Sequence, residues 1–144
     1  AAGAELTRRD VLTELPFGNR TVKLEITGET LRAALENGVS DMENSAGRFP
    51  QVSGLTFSAD LTKPKGQRVT AVSIAGRPLD PKATYTLATS DYLFGGGDAY
   101  TMLQPLKPLL GVRDGRLLAN DVIAYVTAQK TVTAKVEGRI ALKR

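Results

Sequence analysis

The chain has 144 residues, 42% hydrophobic and 24% charged, a balance that fits one globular domain with a single core over residues 1–144. It has no cysteine and no histidine, which excludes disulfides, thiolate zinc sites, a Ser-His-Asp triad and any histidine-held metal. The formal charge of +4 is spread along the chain as a solvated face, compatible with a small anionic ligand but not clustered as a nucleic-acid footprint would be, and no apolar run approaches the roughly 20 residues of a membrane span.

In chain order, "LTRRDVL" predicts a short helix, with Thr7 as N-cap and Asp10 favourable in the first turn. It ends at "LPFGN", where Pro16 disfavours helix at Leu15 and Gly18 permits a sharp turn. "RTVKLEIT" alternates, setting Val22, Leu24 and Ile26 on one face of a half-buried strand. A turn at Thr27-Gly28 leads into "ETLRAALENGV", an amphipathic helix with Leu31, Ala34 and Leu35 on one face and its end near Asn37-Gly38. "SDMENSAGRFPQ" reads as a loop, and "VSGLTFSADL" and "RVTAVSIAG" as two strands joined by "TKPKGQ".

"RPLDPKA" is a turn, and "TYTLAT" is a strand that runs straight into "SDYLFGGGDAY". "AYTML" predicts one helical turn, and "PLKPLLGVRDGRLL" reads as irregular. "ANDVIAYVTAQK" predicts a helix with Val122, Ile123 and Val126 facing inward, and "EGRIALK" a closing strand. Three or four helices with five or six strands, hairpins among them, imply α+β or mixed α/β architecture, with no repeat and no interdomain linker.

Two stretches invite a functional reading. Three consecutive glycines before Asp98 cost conformational entropy, so the chain there needs positive φ angles or a close approach to its backbone. No P-loop is present, and Tyr100 stands where a dinucleotide-binding fingerprint needs its third glycine. Asp98 is either the N-cap of a following helix or a carboxylate that accepts sugar hydroxyls, with Tyr92 or Phe94 offering an apolar face. In "PFGN", Phe17 is either a core anchor or a ring on which a base stacks, and Asn19 either stabilises the turn or reads the base edge.

The segments "RRDVLTELPFGN", "ITGETLRAAL", "GRFPQVSGLTFSAD", "GRPLDPKATYTLATSDYLFGGGDAY" and "VEGRI", in this order, span nearly the whole chain. Together they resemble the C-terminal domain of the 5'-nucleotidase family, which includes bacterial periplasmic UDP-sugar hydrolases and animal ecto-5'-nucleotidases. The resemblance implies mixed sheets flanked by helices and a nucleoside held between two rings, here Phe17 and Tyr92. Tyr92 departs from the family's usual phenylalanine by one hydroxyl. By the same resemblance Asn19 hydrogen-bonds the base, Asp98 takes the ribose hydroxyls, and the backbone of Gly47 lies beside the ligand. Ala99 replaces the usual glycine after Asp98.

In that family an arginine from an Asn-Gly-Gly-Ile-Arg-like segment, just upstream of the first helix, helps to hold the ligand. A dinuclear divalent-metal site lies on an N-terminal metallophosphoesterase domain. This chain starts at Ala1, where that segment would end, which suggests a processed product or an excised piece. The expectation is a substrate-specificity domain without catalytic residues, metal or cofactor of its own. It would bind a nucleoside or nucleotide for hydrolysis by the metal-bearing domain of the same protein, in the periplasm or at the cell surface, and be inactive alone. Relatives share this domain among 5'-nucleotidases, UDP-sugar hydrolases and 2',3'-cyclic phosphodiesterases. The rival readings are a stand-alone nucleoside-binding or sensing module and a nucleic-acid-binding domain.

Overall fold

A computed structural model describes residues 3–144. The first helix, α1 (Arg8–Glu14), starts on a capping box, in which the Thr7 side chain accepts from the Asp10 backbone N–H and the Asp10 carboxylate accepts from that of Thr7 at 2.8 Å. β1 (Thr21–Thr27) alternates as the sequence predicts, burying Val22, Leu24 and Ile26. Thr27 then caps α2 (Gly28–Gly38) by accepting from the Thr30 N–H. Gly28 is required where it stands, because a Cβ there would lie 2.0 Å from the Asp80 carbonyl oxygen.

Beyond α2 the chain forms a 3-10 turn at Met42–Asn44 and then the hairpin β2 (Leu55–Asp60) and β3 (Val69–Ile74). β4 (Arg77–Pro78) and β5 (Thr84–Ser90) follow. Next come α3 (Asp91–Phe94), 3-10 turns at Gly97–Ala99 and Thr101–Leu103, β6 (Pro108–Leu110), α4 (Leu118–Gln129) and β7 (Ile140–Lys143).

The strands make two sheets, β5-β1-β6, all antiparallel, and β4-β3-β2-β7, in which β7 lies parallel to β2. α2 serves both. Leu31 and Ala34 pack with Val22, Leu24, Ile26, Tyr100 and Leu103 on the first sheet, while Leu35 and Val39 pack with Phe57, Ala59, Val69 and Val72 on the second. Spacing at i, i+3 and i+4 thus feeds two cores from one helix. The result is an α+β fold.

Several elements differ from the sequence reading. "DYLF" is a helix rather than loop, because the Ser90 hydroxyl accepts from the Leu93 N–H and caps it. Asp98 caps nothing with its side chain and itself takes a left-handed backbone, φ 51°. β4 and β6 are short strands inside stretches read as turn and irregular chain. In α4 only Ala119 is buried; Val122, Ile123 and Val126 are half-buried. No described helix is long and apolar enough to cross a membrane.

Candidate functional site

The register of β1 and β5 pairs Thr21 with Ser90, so the turn before β1 and the helix after β5 emerge at the same end of the sheet. Two hydrogen bonds join them, one between backbones and one from the Arg20 backbone to the Asp91 side chain. The Asp91 N–H donates to the Arg20 carbonyl at 2.9 Å, and the Asp91 carboxylate accepts from the Arg20 N–H at 3.0 Å. Asp91 also accepts from the Tyr92 N–H at 2.9 Å. This carboxylate braces the two halves of the candidate site, a role that sequence reasoning missed.

Phe17 is 86% exposed, which rules out the core-anchor reading. An aromatic ring in this Pro-Phe-Gly turn leaves its apolar faces open to solvent. Asn19 lies half-buried behind it, and its carbonyl accepts from the Leu118 N–H at 2.8 Å. Gly18 takes φ 65°, the left-handed angle the tight turn needs. Behind the turn is a cavity of about 290 Å³ between α1, the turn and the start of α4, lined by Leu12, Leu15, Phe17, Asn19 and Leu118.

Tyr92 is 51% exposed, and its hydroxyl donates to Asp98 Oδ1 at 3.1 Å. The glycine run explains itself here. Gly96 takes φ 89°, and a Cβ on Gly97 would sit 2.5 Å from the Tyr92 ring, so that ring lies directly on the Gly97 backbone. Asp98 and Ala99 continue in left-handed conformation at φ 51° and 63°, and the Asn37 side-chain amide donates to the Asp98 carbonyl at 3.0 Å. The Asn37 bond holds this left-handed backbone, and the Tyr92 hydroxyl engages the carboxylate that it carries.

Gly47 is exposed in the loop after α2. The Tyr100 hydroxyl holds that loop by donating to the Arg48 carbonyl at 2.7 Å. Burial, and then the Asp98 charge, push the Tyr100 hydroxyl's pKa up to about 12. Gly47 and Asp98 line a second, larger groove of about 730 Å³, which runs along β5 and over α2.

The five residues picked from the sequence therefore fall into two sets. Phe17 and Asn19 share one concavity, and Gly47 and Asp98 share the other. Tyr92 joins them, bonded to Asp98 and one residue from the Asp91 brace. Among the described residues no group of three or more Asp, Glu, His or Cys side chains could hold a metal ion.

Two sheets sharing one helix, with the exposed aromatics and the carboxylate on a turn, a short helix and a 3-10 turn at one sheet end, define an α+β domain whose candidate site lies on its connections. The family model for the 5'-nucleotidase C-terminal domain matches residues 1–105, and the chain belongs to that family. The protein 5NUC of Lutzomyia longipalpis is 33% identical over 98% of this chain and 26% of its own length. The trifunctional nucleotide phosphoesterase protein YfkN of Bacillus subtilis is 34% identical over 94% of the chain and 10% of its own length. The crystal structure of a 5'-nucleotidase precursor from Thermus thermophilus superposes with a TM-score of 0.90 at 38% identity, covering 96% of this chain and 28% of that one. The chain thus spans about a quarter or less of the length of these relatives.

Proposed function

We propose that this domain binds the nucleoside part of a nucleotide and presents the phosphate to a separate metal-bearing domain of a secreted or periplasmic 5'-nucleotidase-type phosphohydrolase. In this reading Phe17 and Tyr92 stack on the base, Asn19 reads its edge, Asp98 accepts from the sugar hydroxyls and the Gly47 backbone lies alongside. The chain's own part in catalysis is binding and orientation, which carry a large share of an enzyme's rate. Activation of water belongs to metals held outside these residues.

One observation carries the reading: two exposed aromatic rings, one on the turn before β1 and one on α3, stand on segments tied to each other through the Arg20–Asp91 hydrogen bonds. Solvent-exposed rings, one of them bonded to a carboxylate, suit a flat heterocycle with a hydroxylated appendage. The names of the relatives, nucleotide phosphoesterase and 5'-nucleotidase, agree in substrate class.

The test is an amide-resolved NMR titration with adenosine and with uridine, with Phe17→Ala as control. Stacking contributes roughly 1–3 kcal/mol per base, so two rings support about millimolar affinity. Shifts confined to Phe17, Asn19, Gly47, Tyr92 and Asp98, and lost in Phe17→Ala, are the expected result. No shift with either ligand at high concentration overturns the reading.

A further inference from the structure

We infer that the Tyr92 hydroxyl sets the sugar specificity of this site, by occupying one oxygen of Asp98 and so weakening the preference for ribose over 2'-deoxyribose. The inference rests on the nucleoside-binding reading above and goes beyond it.

An ionised carboxylate has two oxygens, each able to accept more than one hydrogen bond. A ribose cis-diol gains most over a single hydroxyl when each oxygen is free to take one donor. Here Oδ1 already accepts from Tyr92 at 3.1 Å. A second donor at that oxygen shares an acceptor whose charge is partly compensated, so the extra sugar hydroxyl gains less than at an open carboxylate.

The arrangement is fixed on both sides. The tyrosine ring fills the space where a Gly97 side chain would stand, and Asp98 is held through its own backbone carbonyl by Asn37. Phenylalanine in the same place would keep the ring on Gly97 and leave Oδ1 free. Tyrosine therefore links two jobs, since its ring offers a stacking face while its hydroxyl tunes the sugar contact.

Tyr92→Phe has two separable effects. Loss of the hydroxyl leaves the ring on Gly97 without its tether to Asp98, and any change in its stacking acts on every ligand alike. It also frees Oδ1, which changes only ligands with the second sugar hydroxyl. Affinities of adenine, 2'-deoxyadenosine and adenosine for this chain, with and without the substitution, separate the two. Adenine reports the base contacts alone, without any sugar contact. The ratio of adenosine to 2'-deoxyadenosine affinity is expected to rise by about threefold or more in Tyr92→Phe, since hydrogen bonds to a charged group are the stronger kind. A purely structural role would move all three ligands together and leave the ratio unchanged, which would overturn the inference while the nucleoside reading stood.

Asp98→Asn supplies the second arm. It should bring the ratio toward one, and adding Tyr92→Phe should then have no further effect on it. A ratio that still responds to Tyr92→Phe in the Asp98→Asn background places the hydroxyl's action elsewhere and also overturns the inference. If the unsubstituted chain binds none of the three ligands, the nucleoside reading falls and takes the inference with it.

Discussion

β1 buries Val22, Leu24 and Ile26 to 0%, 0% and 1% exposure, whereas α1, which ends seven residues before it, buries none of its side chains. The candidate site straddles that boundary. Tyr92 and Asp98 follow β5, which is paired to β1 along its whole length. Phe17 hangs between exposed α1 and the start of β1, and its turn is held on the downstream side by Leu118 and Asp91. One ring is thus built on the core and the other on a lightly packed corner. A stacking site of this kind has one preorganised wall and one whose order depends on local helix stability.

The largest effect that tests this contrast is in the core. Leu24→Ala removes a fully buried side chain from the middle strand of the first sheet and should cost about 2–5 kcal/mol. Leu12→Ala on α1, 42% exposed, should change stability by no more than about 0.5 kcal/mol. Urea unfolding followed by circular dichroism reads both. Comparable losses for the two variants would break the comparison.

Within the rigid wall, Gly97→Ala places a methyl group 2.5 Å from ring carbons of Tyr92, and one of them has to move. The ring is half exposed and can swing out, so the stability cost should stay near the lower end of overpacking, about 1 kcal/mol. The functional cost should be larger. Displacing the ring removes one stacking face and should lower adenosine affinity about tenfold, the scale of one stacking contact. Gly47→Ala is the control for stability, because a Cβ there meets nothing within 4 Å and its φ is not positive. Equal unfolding midpoints for the two variants would show that the Tyr92 ring does not rest on Gly97 in solution.

A third test separates the two sheets by pH. The strongly depressed carboxylates sit around the second one. Hydrogen bonding by the Arg68 guanidinium holds Glu43 at about 2 rather than its ordinary 4.5. The Thr62 hydroxyl and then Lys143 hold Asp60 at about 2 rather than 3.8. A carboxyl depressed in the folded state stabilises the fold above its ordinary value, and that contribution is lost as pH falls toward about 2. Stability should therefore decline between about pH 4.5 and 2, and Glu43→Gln should flatten part of that decline without touching nucleoside binding at neutral pH. Tyr100 behaves in the opposite sense. Its raised pKa favours the fold at lower pH, and the contribution fades as pH rises from about 10 to about 12. Tyr100→Phe should remove that alkaline decline. An acid limb unchanged in Glu43→Gln would mean that the Arg68 pair contributes nothing to it.

What the sequence made legible follows the same division. Strict alternation in "RTVKLEIT" and the 3-4 spacing of α2 are local patterns that burial enforces, so both elements stand as expected. The Thr7-Asp10 capping box is likewise local. α3 was not legible, since a four-residue helix carries no periodicity and only the Ser90 cap marks it. β6 exists because β1 offers an edge to pair with, a fact no window of residues 108–110 contains. The apolar stripe of α4 reads as a buried face, yet periodicity cannot say how much of the fold lies against it. At the site, residue identity suggested Phe17, Asn19, Asp98 and either Tyr92 or Phe94, and the family resemblance chose Tyr92 and added Gly47. The Asp91 brace and the Tyr92–Asp98 bond depend on the β1–β5 register and on left-handed backbone at Asp98, and both are tertiary facts.

The smallest predicted effect probes the soft wall alone. Thr7→Ala removes the hydroxyl that accepts from the Asp10 N–H, and the reciprocal bond from the Thr7 N–H to the Asp10 carboxylate loses its counterpart. Loss of an N-cap typically costs about 1 kcal/mol of helix stability, or roughly fivefold in the local opening equilibrium. Because α1 buries nothing, that opening is separable from global unfolding, and the urea midpoint should hardly move. Amide hydrogen exchange at Val11 and Leu15, which donate to the Thr7 and Val11 carbonyls, should quicken by that factor, while the amides of β1 keep their rates. The Phe17 turn hangs from the end of α1, so adenosine affinity should fall by about twofold or less, through the population of the turn rather than through any lost contact. A Thr7→Ala chain whose β1 amides quicken as much as its α1 amides would show corner and core opening together, and the site would then have two walls of one stability.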